Sequence, residues 1–259
     1  MKCIVSVACV PDTASVIKIG ADGQHIDETG IKWIISPYDE YALEEALKIT
    51  EAQGGEVTVI TYGPDRAEAV LRECLARGAH NAIHVIDGST TLGDSLAIAR
   101  VLAAALRGRE FDLLLCGVKG VGTDCSQVGQ MLAELLNIPH VANVIALEVG
   151  GGRLRASRDV EGGQEKVTCP LPALITAQKG LNEPRYAALK GIMAAKRKPV
   201  EKLQPQALGI TEGADPTYRV RGMELPPAKT AGTIIKGEED PGAAAAELVR
   251  LLHHEAKAI

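Results

Sequence analysis

A glycine-rich loop at residues 117–128 contains the residue types best suited to binding a phosphate group. Its sequence is Gly-Val-Lys-Gly-Val-Gly-Thr-Asp-Cys-Ser-Gln-Val, and it joins an apolar run to a segment with helical periodicity. Glycines let backbone N–H groups approach an anion closely, and the N-terminus of the following helix favours negative charge. Thr123, Ser126 and Gln127 could donate further hydrogen bonds to phosphate oxygens. The loop therefore indicates a phosphate site.

The glycine spacing of this loop leaves a second interpretation open. It matches neither the Walker sequence nor GxGxxG, so the glycines could serve only the tight geometry of a strand-to-helix connection. Asp124 in the loop, and Asp12 after the first predicted strand, could bind a ribose hydroxyl or exchange protons. Both aspartates fit roles as helix caps or turn residues equally well.

Three other loops adjoin predicted strands and could contribute to the same site. They are Ser6–Asp12, Ser36–Asp39 and Tyr62–Pro64. In an open parallel sheet, ligands bind beyond the carboxyl ends of the strands, where the strand order reverses. We therefore expect these loops to lie near residues 117–128.

The sequence contains no constellation typical of catalysis or of metal binding. His80, His84 and His140 fall at predicted strand edges, without a cysteine or carboxylate at ligand spacing. The six cysteines show no CxxC spacing and read as small apolar residues in a reducing compartment. No serine or cysteine has the context of a nucleophile elbow. We predict no catalytic residue and no metal site.

The order of secondary-structure signals predicts an α/β fold with a doubly wound, mostly parallel sheet. Short apolar runs predict strands that are buried on both faces, at Lys2–Cys9, Glu56–Tyr62, Asn81–Ile86 and Asp112–Gly117. Helical spacing of apolar residues predicts helices at Asp39–Gln53, Asp65–Arg77, Leu92–Leu106 and Ser126–Leu136. Asp39 is a candidate N-cap of the first helix, and Thr90 or Thr91 of the third.

The pattern changes after Pro139 and again after residue 200. Three shorter strands with glycine turns between them form a predicted small β-hairpin region, at Val141–Val149, Arg153–Arg158 and Gln164–Cys169. A buried strand is predicted to follow at Ala173–Ala177. Beyond Lys202 the chain is rich in proline, glycine and charge, and a helix is predicted at Gly242–Lys257. This extended arm has too little apolar surface for a core of its own, so we expect it to lie on a partner subunit.

Composition excludes several classes of function. The formal net charge is -5, which argues against a nucleic-acid-binding protein. We expect no secretory signal, because the apolar run after Lys2 is too short, and no direct membrane insertion, because no apolar run approaches the length of a span. Aromatic residues make up only 3% of the chain, so Ala, Val, Leu and Ile must form the core.

A second candidate surface combines apolar and basic side chains. Leu189 and Met193 are four residues apart, close to the basic run Lys196–Lys198. An apolar knob with a cationic collar could dock a partner and attract an acidic surface. The residues alone equally fit an ordinary helix with a solvated basic end, which the helix dipole favours.

The run Ala156–Thr176 resembles the signature of the β subunit of electron-transfer flavoprotein. The matching positions include Arg158, Glu161-Gly162-Gly163, Glu165, Val167, Pro172 and Leu174-Ile175-Thr176. The similarity extends over nearly the whole chain, through Val10–Asp12, Pro37–Leu47, Gly78-Ala79, Ile83–Val85, Asp124–Gln130, Leu181–Tyr186 and Ile192–Lys198.

This resemblance implies an adenine-nucleotide-binding, Rossmann-like domain in a heterodimer with a larger α subunit. FAD would be shared with, and held mainly by, the α subunit, and the present chain would bury a structural AMP. The residues implied as cofactor-binding are Ser6, Ser36, Pro37, Tyr38, Asp39, Tyr62, Gly117, Val118, Lys119, Gly120, Val121, Gly122, Thr123, Asp124, Cys125, Ser126, Gln127 and Val128. They belong to the strand-end loops identified above.

The resemblance also implies an electron carrier with no catalytic residue of its own. Electrons would pass from dehydrogenases, such as acyl-CoA dehydrogenases, to a membrane quinone oxidoreductase. A recognition loop at residues 177–199 would dock the dehydrogenase, with Leu189 entering an apolar pocket, and the implied partner-binding residues are Leu189, Ile192, Met193, Lys196, Arg197 and Lys198. Residues 1–200 would form the nucleotide-binding domain and 201–259 an arm on the α subunit. The compartment would be the bacterial or archaeal cytoplasm, or the mitochondrial matrix.

Three departures from the family pattern bear on the nucleotide. Many relatives have Lys-Gln-Ala-Ile-Asp where this chain has Val118–Gly122, and an asparagine is common at the position of Ser36. Basic or amide residues that are common near Ala8-Cys9 are missing. Electron-bifurcating members hold a second FAD in place of AMP and oxidise NADH, and Val10–Thr13 is similar to some of them. Cys125–Gln130 is more similar to the AMP-binding group. We predict that this chain binds AMP, with a second FAD as the alternative. A third interpretation of the sequence is a stand-alone nucleotide sensor of the same architecture.

Overall fold

The computed structural model describes residues 1–88, 94–210, 216–218, 220–228, 232–237 and 240–259. These residues divide into two units, Met1–Met223 and Glu224–Ile259. In chain order the strands are β1 Lys2–Ser6, β2 Cys9–Pro11, β3 Trp33–Ile35, β4 Glu56–Gly63, β5 Asn81–Ile86, β6 Leu113–Gly117, β7 His140–Gly150, β8 Arg153–Val160, β9 Gly163–Pro170, β10 Ala173–Ala177 and β11 Val200–Leu203. The α-helices are α1 Pro37–Gln53, α2 Glu68–Arg77, α3 Ser95–Leu106, α4 Val128–Leu136, α5 Leu189–Ala195 and α6 Pro241–Leu251.

A nine-stranded sheet in the order β11-β5-β4-β1-β6-β10-β7-β8-β9 forms the centre of the first unit. The strands from β11 to β7 pair in parallel, and β7, β8 and β9 pair antiparallel. The chain runs from β1 to β4 and β5 on one side, and then returns to β6 on the other side of β1. The strand order therefore reverses between β1 and β6, where such sheets bind ligands.

Alternating side chains of the central strands supply two separate apolar cores. On β1, Cys3 and Val5 pack with α1 and α2, whereas Ile4 packs with α3 and α4 on the opposite face. On β6, Leu113 and Leu115 belong to the core with α1 and α2, and Leu114 belongs to the core with α3 and α4. This two-sided burial explains the continuous apolar runs of these strands. The doubly wound α/β fold predicted from the sequence is confirmed.

The predicted hairpin region is an antiparallel extension of the same sheet. β7 pairs with β8 up to Gly150 opposite Arg153, and β8 pairs with β9 up to Val160 opposite Gly163. Gly151 and Gly152 have φ values of 60° and 72°, which explains the glycine run in the first turn. The two predicted hairpins are therefore present.

The first strand is shorter than the predicted Lys2–Cys9. β1 ends at Ser6, and two residues later the chain leaves the sheet, because the backbone N–H of Ala8 donates to the Asp39 carboxylate. Cys9–Pro11 then pairs antiparallel with Trp33–Ile35 in a separate two-stranded ribbon. This ribbon was not predicted from the sequence.

Helix boundaries differ from the predictions for local reasons. Ser36, not Asp39, occupies the N-cap position of α1. Thr90, Thr91 and the predicted start at Leu92 lie outside the described residues, and Asp94 caps α3 through its carboxylate, which accepts from the N–H groups of Leu96 and Ala97. The predicted helix Asp65–Arg77 is a 3-10 turn, Asp65–Ala67, followed by α2. The predicted helix Ser126–Leu136 begins only at Val128, because Ser126 has a left-handed φ of 53°.

The second unit contains α6 and a π-helical turn, Leu252–Ala256, in place of the single predicted helix Gly242–Lys257. Asp240 caps α6 by accepting from the N–H of Ala243 at 3.0 Å. None of the residues of α6 is buried, and Leu248 is 48% exposed. Among the described residues, no helix is long and apolar enough to cross a bilayer.

Candidate functional site

Asp39 ties together the two strand ends at which the sheet order reverses. Its Oδ2 accepts a hydrogen bond from the N–H of Ala8 at 2.8 Å, just beyond β1. Its Oδ1 accepts from the N–H of Gly117 at 2.7 Å, at the end of β6. The residue is only 6% exposed, and burial raises the pKa of its carboxyl to about 7 although both N–H groups favour the charged form. The start of α1 is thereby fixed at the expected ligand-binding edge.

Gly117 allows the first turn of α1 to approach the end of β6. A Cβ at this position would lie 2.6 Å from Asp39 Oδ1 and 2.7 Å from the backbone carbon of Tyr38. The next residue, Val118, donates its N–H to Ala177 O at 2.9 Å, which anchors the start of the glycine-rich loop to β10. The absence of a side chain at Gly117 is therefore a packing requirement of this edge.

The remainder of the glycine-rich loop follows a sharply folded, largely exposed path. Gly122, Asp124 and Ser126 have φ values of 105°, 49° and 53°. Lys119 Nζ is 3.2 Å from Asp124 Oδ1 and 5.7 Å from the centre of the Tyr38 ring. These contacts place the loop beside Ser36–Asp39, as the sequence analysis expected. Thr123, Asp124, Cys125 and Gln127 are exposed, and Gly120, Val121, Ser126 and Val128 are partly buried.

Two polar atoms at this edge are buried without a partner. Ser36 Oγ and Gln130 Oε1 have no hydrogen bond to any residue that the structure describes. Ser36 is fully buried just before α1, and Gln130 lies in the first turn of α4, directly after the glycine-rich loop. Buried polar groups almost always have partners, so these atoms fit a site whose polar ligand supplies the missing bonds.

Ser6 and Tyr62 end the neighbouring strands of the same edge. Ser6 is half-buried and pairs in register with Ile60 of β4. Tyr62 OH donates to the carboxylate of Asp87, just beyond β5. Tyr62 therefore contacts the β5 side of the edge, one strand away from the tie that Asp39 makes between β1 and β6.

A further element at the carboxyl edge was not predicted from the sequence. Asp94 caps α3, and its carboxylate also accepts from the backbone N–H and the hydroxyl of Thr217. Further along, the N–H of Met223 donates to Gly23 O at 2.8 Å. The segment after β11 thus returns to the loops of this edge. An aspartate directly before a helical run is a local cap signal, but no local signal indicates Thr217 as its second partner.

The predicted docking segment contains the most exposed apolar side chains near α5. Leu189 is 77% exposed, Met193 57% and Ile192 42%. Lys196 and Arg197 are also exposed. Lys198 differs, because its Nζ donates to Ala79 O at 2.5 Å and the side chain turns towards the protein. The structure therefore groups five of the six predicted partner-binding residues on the exposed surface, and places Lys198 as an anchor beneath them.

The buried Asp39 carboxyl predicts a specific pH dependence of stability. Since its native pKa, about 7, exceeds the value near 3.9 of an unfolded aspartate, the folded state retains a proton that the unfolded state releases. The free energy of unfolding should therefore fall as pH rises from about 4 to about 7, by at most ~4 kcal/mol from this group.

Urea unfolding of Asp39→Asn and of the wild type at several pH values checks this pH dependence. The fall in the free energy of unfolding between pH about 4 and about 7 should be absent from the variant. The comparison isolates Asp39, since the lowered pKa of buried His84 acts in the opposite direction in both proteins. Asp65→Asn, at an exposed aspartate, should behave as the wild type. Parallel pH profiles for the wild type and Asp39→Asn would contradict the prediction.

Comparison with known proteins is consistent with this arrangement. The family described as "Electron transfer flavoprotein domain" matches residues 24–208. The chain is 44% identical over 244 residues to the "Electron transfer flavoprotein subunit beta" of Bacillus subtilis (strain 168), covering 93% of this chain and 94% of that protein. It is 37% identical to the protein of the same name from Syntrophomonas wolfei, covering 99% and 98%, and 35% identical to that of Homo sapiens, covering 97% and 99%. The chain therefore belongs to the electron transfer flavoprotein family, as one of its β subunits.

Proposed function

We propose that this β subunit binds AMP and forms a heterodimer with an electron-transfer flavoprotein α subunit, which holds most of the FAD. The heterodimer carries electrons from dehydrogenases, such as acyl-CoA dehydrogenases, to a membrane quinone oxidoreductase. It works in the bacterial or archaeal cytoplasm, or in the mitochondrial matrix of a eukaryote. In this role the chain positions a cofactor and makes or breaks no bonds itself.

The observation that carries the nucleotide site is the meeting of two loops where the strand order reverses. Asp39 accepts hydrogen bonds from the N–H groups of Ala8 and Gly117, which sets the first turn of α1 against the glycine-rich loop. Beside this tie, Ser36 Oγ is buried without a partner among the described residues. A nucleotide hydroxyl or amino group could supply that bond, and the N–H groups of the glycine-rich loop could hold its phosphate.

Each part of this edge has a distinct task in the proposal. Gly120–Gln127 would contact the phosphate, and Ser36 would orient the nucleoside. Lys119 is held between Asp124 and the Tyr38 ring, where its charge would partly offset that of a phosphate. The bound FAD, supplied mainly by the α subunit, would accept and release the electrons.

Contacts on the β5 side favour AMP over the larger FAD in this subunit. Tyr62 donates to Asp87, and Thr217 donates to Asp94, so side chains occupy the neighbouring ends of β4 and β5. We therefore propose a mononucleotide at the remaining edge, beside the ends of β1 and β6. The sequence Cys125–Gln130 supports the same choice, because it is similar to the AMP-binding members of the family.

The alternative function is that of a β subunit in an NADH-dependent electron-bifurcating flavoprotein, with a second FAD in this chain. Val10–Thr13, which is similar to some of those members, favours it. The two functions differ in the electron donor that reduces the heterodimer.

Co-expression with the cognate α subunit, followed by anaerobic reduction assays, tests the proposal. An acyl-CoA dehydrogenase with its substrate should reduce the flavin of the heterodimer, and NADH alone should not. Rapid reduction of two flavins per heterodimer by NADH would favour the bifurcating alternative. A chain that stays monomeric when expressed together with the α subunit would contradict both.

A further inference from the structure

Two nearly buried carboxylates on α1 face the segment that leads to the docking surface. Glu44 is 7% exposed and Glu45 is 5% exposed, although both belong to a helix that packs on the sheet. Burial of a carboxylate is costly unless hydrogen bonds and opposite charge compensate it. The partners of these two residues therefore need an explanation.

Arg185 supplies this compensation for Glu44. Its Nε and one terminal nitrogen donate to the two carboxylate oxygens of Glu44, at 2.8 and 3.0 Å. Its two terminal nitrogens also donate to Glu51, at 2.5 and 2.9 Å, and its backbone N–H donates to Glu44 at 3.1 Å. One guanidinium thus holds two carboxylates in paired hydrogen bonds, the geometry for which arginine is best suited.

Asn182 adds a second attachment three residues earlier. Its Nδ2 donates to Glu45 Oε2 and to Tyr41 O, both at 2.9 Å. The segment from Asn182 to Arg185 is therefore fastened to α1 through side chains as well as through the Arg185 backbone. We refer to Asn182, Arg185, Glu44, Glu45 and Glu51 as the α1 clamp.

The far end of the docking segment is fastened to α2 in a comparable way. Arg72 donates to Ala195 O at 3.0 Å and to Lys198 O at 2.6 Å. A Cβ on Gly191 would lie 2.2 Å from Ala76 O, so α5 lies directly against the backbone of α2. Between the two attachments, the chain exposes four large hydrophobic side chains, Tyr186 at 93%, Leu189 at 77%, Met193 at 57% and Ile192 at 42%.

We propose that Arg185 is a positioning residue, which sets the backbone of residues 186–189 before a partner arrives and so presents Leu189 for docking. This inference rests on the proposed docking function of Leu189. Ordering a flexible loop on association reduces affinity, and a loop that is already fixed avoids that cost. Attachment of the docking segment to α1 explains why α1 has Glu44, and not an apolar residue, buried on the side of that segment.

The substitution Arg185→Lys separates positioning from charge. A lysine keeps the positive charge that buried Glu44 needs, but an ammonium group cannot pair with two carboxylates in the bidentate manner of a guanidinium. We expect the amides of residues 186–193 to exchange hydrogen faster in the variant heterodimer. In the dehydrogenase assay, the KM for the heterodimer should rise about three- to tenfold, with kcat at saturation and flavin content unchanged.

Two further variants make the test independent of folding defects. Glu51→Gln removes the more exposed carboxylate of the α1 clamp and should produce the same changes at smaller amplitude, because Glu51 is 57% exposed. Arg155→Lys makes the same substitution at a 77% exposed arginine of β8 and should leave exchange at 186–193 unaltered.

Wild-type exchange rates at 186–193 in Arg185→Lys would overturn the positioning role whatever the assay shows. An unchanged KM in Arg185→Lys, together with a raised KM in Leu189→Ala, would also overturn it. An unchanged KM in Leu189→Ala would instead overturn the docking function on which the inference rests, so the two failures are distinguishable.

Discussion

Replacement of Gly117 by alanine should destabilise the fold and abolish nucleotide binding. The new Cβ would lie 2.6 Å from Asp39 Oδ1 and 2.7 Å from the backbone carbon of Tyr38, closer than real Cβ atoms approach. Because one of these neighbours is backbone, the first turn of α1 must move as a unit. Overpacking of this kind costs about 1–3 kcal/mol. Moving the turn also separates Asp39 from Ala8 and Gly117, which breaks the tie at the proposed nucleotide site.

Gly150→Ala is the matched control, since it introduces the same methyl group at a glycine of β7, outside the proposed nucleotide site. At that position no atom of the described residues, apart from the chain neighbours, lies within 4 Å of the new Cβ. Urea unfolding should show a lower midpoint with an unchanged slope for Gly117→Ala and little change for Gly150→Ala. Nucleotide analysis of the purified heterodimers should show loss of AMP only in Gly117→Ala. Equal stability and AMP content in the two variants would contradict the role assigned to Gly117.

Leu189→Ala should impair electron transfer from the dehydrogenase without affecting the protein itself. The side chain is 77% exposed in this chain, so its truncation should alter the free energy of unfolding by less than ~0.5 kcal/mol. A central apolar anchor of an interface contributes about 2 kcal/mol or more, which corresponds to a loss of roughly 30-fold in kcat/KM. Steady-state assays with the dehydrogenase in catalytic amount measure this loss.

Val16→Ala provides the control for the loss of an exposed apolar side chain. Val16 is 82% exposed and lies between β2 and β3, outside residues 177–199. This variant should transfer electrons as the wild type does. Loss of flavin from Leu189→Ala, or a comparable loss of activity in Val16→Ala, would show that the effect of Leu189 is not one of docking.

The central strands were predicted well from the sequence because their burial follows from the local residue types. Asn81–Ile86 and Ala173–Ala177 have the predicted bounds, since apolar runs covered on both faces differ sharply from the polar turns around them. The strand-end loops were also predicted to lie together. This follows from the topology of a parallel sheet rather than from any single residue.

What the sequence did not predict depends on contacts between distant residues. Asp39 has the local signature of a helix cap, but its carboxylate accepts hydrogen bonds from backbone N–H groups that are 31 and 78 residues away in the sequence. Arg185 and Glu44 are separated by 141 residues, and no periodic pattern links them. Lys198 belongs to a basic run that predicts a solvated collar, yet the carbonyl of Ala79 draws its ammonium group inward.

The nucleotide content of the heterodimer tests the central claim most directly. The protein should be purified with its α subunit, denatured in acid, and the released nucleotides separated and quantified by chromatography. We predict one FAD and one AMP per heterodimer. Two FAD molecules and no AMP would contradict the proposal that this β subunit is the AMP-binding half of an electron carrier.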